Sequence, residues 1–188
     1  MKINAEDNIS KLHNQMKELV SPNSAVIEFG CGKGDLLIQL SSKIRYGKGI
    51  DKSERLIETA RKHKQTRSIT NVDFVCKTLG KGNAEESRYD FSIASLFFHV
   101  ISHKKAVYLL KRMTNISNSI LICGFSRPRT FGERSLLWLD QRFSKHYKNF
   151  KEYQKKGYME GLLKKANVTN SITYNTSIPF VKIYKINS

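Results

Sequence analysis

No apolar run in this chain approaches the roughly 20 residues that a membrane-spanning helix needs, so a transmembrane protein is not expected. The opening MKINAEDNIS lacks the apolar stretch of a secretory leader, so export is not expected either. Cysteine is scarce and shows no pairing pattern. Cys31, Cys76 and Cys123 form no CxxC, and an odd count without a leader points to reduced thiols in a cytoplasm. Internal repeats, low-complexity tracts and linkers are absent. Acidic residues are outnumbered: 16 Asp and Glu stand against 33 Lys and Arg, a net charge of +17. One reading is an anionic partner: nucleic acid, an acidic membrane surface or a charged substrate. The other is a lysine-rich proteome, since charge informs about association rather than chemistry. The excess is uneven. Residues 1–20 balance three Lys against three acids, whereas residues 127–165 carry eleven Lys/Arg against four acids, a net of +7.

A length of 188 residues, with 39% hydrophobic and 26% charged residues, fits one domain with a full core, spanning 1–188. Its focus is residues 26–37, VIEFGCGKGDLL. Val26, Ile27 and Phe29 suit a strand buried on both faces. Gly30, Gly32 and Gly34 alternate through a turn where side chains would keep a ligand from the backbone. The helix that follows, predicted to run to about Ser42, points its N–H groups at the same space.

Elsewhere strands and helices alternate. A helix in 1–22 carries Ile9, Leu12, Met16 and Leu19 and is stopped by Ser21-Pro22. GKGID (47–51) ends a second strand with Asp51 at its C-terminal end, and Ser53 is placed to cap a helix that buries Leu56, Ile57 and Ala60. VDFVC (72–76) is a third strand, and 77–88 is polar and irregular with at most a short helix. DFSIASLFF (90–98) is a fourth strand with its exit loop, 102–114 an amphipathic helix and SILICGF (119–125) a fifth strand. A basic, aromatic, helical insertion (127–149) is followed by a helix over 150–166 and an antiparallel pair, 169–175 and 180–186. The pattern predicts an α/β fold: a parallel sheet with helices on both faces.

Two cofactor classes use a strand, a glycine turn, a helix and an acid on the second strand. A dinucleotide wants G-x-G-x-x-G, but the third position counted from Gly30 is Asp35, which would face a pyrophosphate. The observed pattern is E-x-G-x-G-x-G from Glu28 to Gly34, and an acid there suits a ligand with positive charge. Asp51 can accept both hydroxyls of a ribose in either case.

From Ser24 to Phe125 the chain resembles the class I S-adenosylmethionine-dependent methyltransferases, and specifically their small single-domain, type 11/25-like members. IEFGCGKGDLL looks like the first motif, GIDKSERLIETAR the second, NVDFVCKT the third strand and YDFSIASLFFHVI the fourth motif. The resemblance implies a Rossmann-like seven-stranded sheet, mostly parallel with an antiparallel terminal strand, and S-adenosyl-L-methionine as cofactor. Carried over by position, it places Glu28 near the methionine amino group and gives backbone contacts to Gly30, Cys31 and Gly32. Asp51 would take the ribose and Lys52 the adenine side, and Ser95, Leu96 and Phe97 would line the pocket. Thr78 stands where relatives often have an acid toward the adenine amine. His99-Val100 replaces a His-His pair, and NISNS a proline-glycine turn, before strand five.

Methyl transfer from a sulfonium asks mainly for orientation and a dry site, with a base only when the acceptor must lose a proton. His99 is the candidate base; alternatively it satisfies loop backbone groups. No metal site is expected: His99 and His103 have i, i+4 spacing but lack further ligands. Cys31 reads as a small residue beside glycine rather than a nucleophile. There is no Pro-Cys after strand four, as cytosine-C5 methylators would have, and no Asn/Asp-Pro-Pro-Tyr/Phe, as adenine amino methylators would have. The 127–149 insertion should fold over the active-site face. There Trp138, Phe143, Tyr147 and Phe150 interleave with Arg134, Arg142, Lys145 and Lys148. It reads as a lid over a hydrophobic acceptor, as a basic face for RNA or membrane, or as a helix whose Leu136, Leu137 and Trp138 reach the core. The leading expectation is a cytoplasmic methyltransferase with a lipid-like or phenolic small-molecule acceptor. The alternatives are an RNA methyltransferase using the basic 127–165 face and a non-catalytic S-adenosylmethionine-binding protein.

Overall fold

Every residue of the strand Ala25–Phe29 (β1) is buried, as a strand covered on both faces requires. A computed structural model, which describes residues 6–78 and 88–187, places it inside the sheet, third of seven strands. The other strands are Tyr46–Asp51 (β2), Val72–Cys76 (β3), Tyr89–Ser95 (β4), Ser117–Phe125 (β5), Ser171–Asn175 (β6) and Val181–Asn187 (β7). They form one seven-stranded sheet in the order β3-β2-β1-β4-β5-β7-β6. The first five are parallel; β7 runs antiparallel to both β5 and β6. The final hairpin thus inserts a reversed strand beside β5, the Rossmann-like arrangement with the antiparallel terminal strand that the sequence suggested.

Seven helices surround the sheet among the described residues: Glu6–Leu19 (α1), Asp35–Leu40 (α2), Glu54–Thr66 (α3), His103–Ile116 (α4), Phe131–Gln141 (α5), Tyr147–Lys155 (α6) and Tyr158–Lys165 (α7). The stripes expected from periodicity are buried: Leu12 and Met16 in α1, Ile57 and Ala60 in α3, and Ala106, Leu109, Leu110 and Met113 in α4. No described helix is long and apolar enough to cross a membrane.

Four local expectations are corrected. The helix after the glycine turn ends at Leu40, not Ser42. Ser53 holds the N-cap position, but its side chain makes no capping bond; its backbone N–H instead donates to Asp51 Oδ1 at 2.9 Å. Leu56 is only half-buried, because it borders a cavity. The single helix expected over 150–166 is broken at Gly157, whose φ of 91° is left-handed and ends α6 before α7 begins. The break lets the two helices close on each other at Gly161, where a Cβ would collide with the Lys156 carbonyl. The expectation of an irregular segment over 77–88 falls, for residues 79–87, outside the described residues.

Strand order reverses between β1 and β4. The crevice beyond their C-terminal ends is therefore the place where a sheet of this kind holds ligands.

Candidate active site

The glycine turn is pinned from two sides. The N–H groups of Gly30 and Cys31 donate to the Ile50 carbonyl at 2.8 and 3.2 Å, which locks the turn to the end of β2. Gly32 N–H donates to Asp51 Oδ2 at 3.1 Å, while the other carboxylate oxygen holds Ser53 N–H. Asp51 is thus a clamp between the turn after β1 and the turn after β2. Two of the glycines have different reasons to be glycine. Gly30 has φ 74° and lies under the Phe97 ring, with no room for a Cβ. Gly32 has φ 55°, yet a Cβ there would meet nothing within 4 Å, because it would point into open space. Gly30→Ala is therefore expected to lower stability by about 2–4 kcal/mol, from overpacking plus backbone strain. Gly32→Ala should cost about 1 kcal/mol from strain alone while filling the space a ligand would use. Thermal melts and calorimetry with S-adenosylhomocysteine separate the two. Equal melting temperatures for the two variants, or unchanged affinity in Gly32→Ala, would contradict this.

Two cavities open above the turn and share Gly30, Leu56, Ser95 and Leu96. The larger, about 470 Å³, is bordered by Asp51, Lys52, Thr78 and Phe97, and by Lys145 and His146 from the insertion. The smaller, about 310 Å³, contains Glu28, Cys31 and Gly32, faced by Ile9 and His13 of α1. All ten cofactor-side residues singled out from the sequence line one or the other. Leu96, between them, adopts φ 48° although it is not glycine. Strain of that kind is held by its surroundings, here by Leu96 N–H donating to the Cys123 carbonyl at 2.8 Å.

Electrostatically the smaller cavity is unsettled. Glu28 is 3% exposed, and its Oε2 has no hydrogen-bond partner among the described residues. Burial pushes its carboxyl up to about 8, and the neighbouring Asp35 and Asp51 add to the rise. His13 is also buried with its Nδ1 unpartnered, and burial holds its pKa below the ordinary value against the opposing pull of Asp35. A cationic ammonium at this point would give Glu28 the counter-ion it lacks. The observed arrangement therefore fits an amino-acid moiety with a positively charged group, and Gly32 leaves the room for it. Cys31 is buried and its thiol is pushed up, first by burial and then by Glu28, so it is no thiolate.

His99 does not line either of these cavities. It borders a third, about 250 Å³, with Leu96, Val100, Phe125, Gln141, Ser144 and His146. Its ring packs 4.5 Å from that of Phe125 and edge-on to Phe150 and Tyr153. Burial, with His146 adding, lowers its pKa to about 3, so it is neutral at physiological pH and a weak proton acceptor. His99 lies in the turn before α4 and His103 opens that helix, so the two share no helix face. His146 borders both the third cavity and the one that contains Asp51. Its pKa is lowered by burial, then by Lys52 and Lys145.

Sequence reasoning missed His13, Leu56, Gln141, Ser144 and His146. His13 had a signal, since it stands four residues after Ile9 on the apolar stripe of α1. The others reach the site from the insertion or, for Leu56, from the stripe of α3 that was expected to be buried, and no local pattern marks them. Within the insertion, only Leu137 of the trio Leu136, Leu137 and Trp138 is buried.

A family model described as a methyltransferase domain matches residues 20–176. No curated protein matches the sequence. Among solved structures, the chain is similar to the magnesium protoporphyrin IX methyltransferase of Synechocystis PCC 6803 with bound S-adenosylhomocysteine, at TM-score 0.67 and 16% identity over 97% of this chain and 83% of that one. It is also similar to the N-methyltransferase NodS of Bradyrhizobium japonicum WM9, at TM-score 0.68 and 10% identity over 98% of both chains. A third is the plantazolicin methyltransferase BpumL with S-adenosylhomocysteine, at TM-score 0.67 and 17% identity over 99% of this chain and 87% of that one. At such identities the likeness speaks for the fold.

Proposed function

The chain belongs to the class I S-adenosylmethionine-dependent methyltransferases, and from that premise we propose that its acceptor is a small, mostly apolar molecule with a hydroxyl, phenolic or lipid-like, seated beside His99. The observation that carries this is the adjacency of cavities. The aromatic-walled space of about 250 Å³ shares Leu96, Val100 and His146 with the cavity that contains Asp51. Phe125 and the neutral His99 ring supply an apolar wall, while Ser144 Oγ, buried and without a partner among the described residues, supplies a polar contact.

S-adenosylmethionine supplies an activated methyl group on a positively charged sulfur. In this reading Asp51 accepts the ribose hydroxyls. Glu28 faces the amino group, and the backbone of Gly30, Cys31 and Gly32 borders the amino-acid moiety. Lys52 and Thr78 flank the adenine side, with Ser95, Leu96 and Phe97 forming the opposite wall. His99, too weak a base at neutral pH, positions the acceptor. His146 is the group placed to take the acceptor proton, being neutral and at the meeting point of the two cavities. The insertion supplies His146, Gln141 and Ser144, and in this reading it acts as the cover of the acceptor space within a single domain spanning 1–188.

Transfer of radiolabelled methyl to a panel of small phenols and hydroxylated apolar acceptors tests this against total RNA as acceptor. Label is expected in the organic-extractable product. Loss of His146 to Ala should lower turnover by about 100-fold, the scale of a general base, while His99→Phe retains turnover within about tenfold. Label entering RNA alone, for which the net +7 of residues 127–165 speaks, would replace this reading.

A further inference from the structure

We propose that the outward face of α5, with the turn that follows it, is a docking surface for an anionic lipid bilayer. The proposal goes beyond methyl transfer and stands whether or not the acceptor assigned above is the right one.

α5 is turned against the usual amphipathic rule. A surface helix buries its apolar stripe and shows its polar one. Here only Leu137 and Gln141 are buried. Phe131, Leu136, Trp138 and Leu139 are exposed, as is Phe143 just beyond the helix end, with Phe131 and Phe143 each 83% exposed. These five account for all but Tyr108 and Ile172 of the exposed large hydrophobic residues among the described ones. At about 100° per residue, Leu139 lies opposite the buried pair Leu137 and Gln141, with Leu136 on one flank and Phe131 and Trp138 on the other. An apolar surface concentrated in one 13-residue segment marks an interaction site rather than scattered exposure.

Charge decides what covers it. Arg127, Arg129, Arg134, Arg142 and Lys145, all exposed, lie within this segment or a few residues either side of it, and the Arg142 guanidinium sits on the Trp138 and Phe143 rings. The two acids of α5, Glu133 and Asp140, lie seven residues apart on one stripe. Glu133 is engaged locally, accepting the Arg129 N–H at 2.6 Å, and Asp140 accepts from Gln141 at 2.8 Å. An apolar face in a segment this rich in exposed guanidinium and ammonium groups is complementary to acyl chains beneath anionic headgroups. RNA is the less suited occupant. Leu136 and Leu139 offer it nothing to stack on, and the Arg142 guanidinium already covers one face of Trp138 (4.4 Å) and approaches that of Phe143 (4.7 Å). The surface also continues into the site: Lys145 and His146, directly after Phe143 and Ser144, border the cavity that contains Asp51. A bilayer on this face would place membrane-dissolved molecules at the cavity entrance.

Trp138 is the only tryptophan in the chain, so its emission reports on this face alone. The 188-residue chain is mixed at about 50 mM salt with vesicles of phosphatidylcholine, or of phosphatidylcholine with phosphatidylglycerol, with and without brominated acyl chains. The expected result is a blue shift and bromine quenching with the anionic vesicles, weaker with the neutral ones and reversed at high salt. Phe131→Ser/Phe143→Ser should reduce vesicle affinity at least tenfold while S-adenosylhomocysteine binding is retained, which shows that the variant is folded. Absence of both shift and co-sedimentation overturns the proposal. So does equal binding by the double variant, or equal binding to neutral and anionic vesicles. Emission that responds to RNA and not to vesicles assigns the face to nucleic acid. A concentration-dependent dimer abolished by the double variant, without vesicle binding, assigns it to a second copy of the chain; either outcome overturns the proposal.

Discussion

Replacing Asp51 with Ala is expected to weaken S-adenosylhomocysteine binding by about 100-fold or more, measured by calorimetry at neutral pH. Two effects combine. The proposed contacts to a ribose are charge-assisted, and losing a pair of them costs on the order of 3 kcal/mol, which is about 100-fold. The second effect comes from the structure and not from the ligand. Asp51 Oδ2 holds Gly32 N–H and Oδ1 holds Ser53 N–H, so the same substitution releases the turns after β1 and β2 together. The glycine turn keeps its bonds to the Ile50 carbonyl, and the fold should survive. Asp51→Asn separates the two effects. Its amide keeps one accepting oxygen and gives up the other, so one turn remains tethered while the charge is gone. Affinity falling between wild type and Asp51→Ala is expected for Asn. Affinity within a few-fold of wild type in the Ala variant would remove Asp51 from the binding site.

The clamp illustrates what a sequence displays and what it conceals. The presence of Asp51 at the end of β2 was legible, because strand pattern and spacing from Gly30 place it there. That its two oxygens are already occupied by Gly32 and Ser53 was not, since it depends on how two turns from different βα units meet. The sheet was legible for a related reason. β1, β4 and β5 each carry a dense apolar run bounded by polar turns, as parallel strands buried on both faces must, whereas β2, YGKGID, has few apolar residues and was placed by Ile50 and the Asp51 that ends it. The breaking of 150–166 at Gly157 was hidden by a helical stripe, Tyr158, Met159, Leu162 and Leu163, that fits an unbroken helix equally well; all four are buried in α7. α5 misleads in the opposite sense. Leu136, Leu137 and Trp138 read as a core stripe, yet consecutive residues on a helix point in three directions, and only Leu137 faces inward. His146 was invisible because the third cavity exists only where the insertion meets the exit loop of β4.

Glu28 is expected to couple stability and ligand binding to pH in opposite senses. In the ligand-free protein its carboxyl is raised to about 8 from an ordinary value of 4.5, first by burial and then by Asp35 and Asp51. The folded state therefore holds a proton that the unfolded chain releases above about 4.5. Stability is fully present below that pH and is lost progressively as pH rises toward 8. Glu28→Gln keeps the shape without the charge. At pH 8 the variant is expected to be more stable than wild type by on the order of a few kcal/mol, read as a higher melting temperature, with the difference vanishing near pH 4. Ligand binding runs the other way. A cationic amino group beside Glu28 favours the carboxylate, so binding expels the proton. Between about pH 6 and 7.5, affinity for S-adenosylhomocysteine should rise by up to tenfold per pH unit, since each unit of proton linkage is worth about 1.4 kcal/mol. Calorimetry at pH 7 in two buffers of different ionisation enthalpy should count nearly one proton released. In Glu28→Gln both the release and the slope should disappear, and affinity should fall well below wild type. Flat affinity across that window with no proton released would mean that the amino group lies elsewhere. A stable but weak-binding Glu28→Gln would identify Glu28 as a carboxyl that destabilises the empty fold and is neutralised by the ligand it awaits.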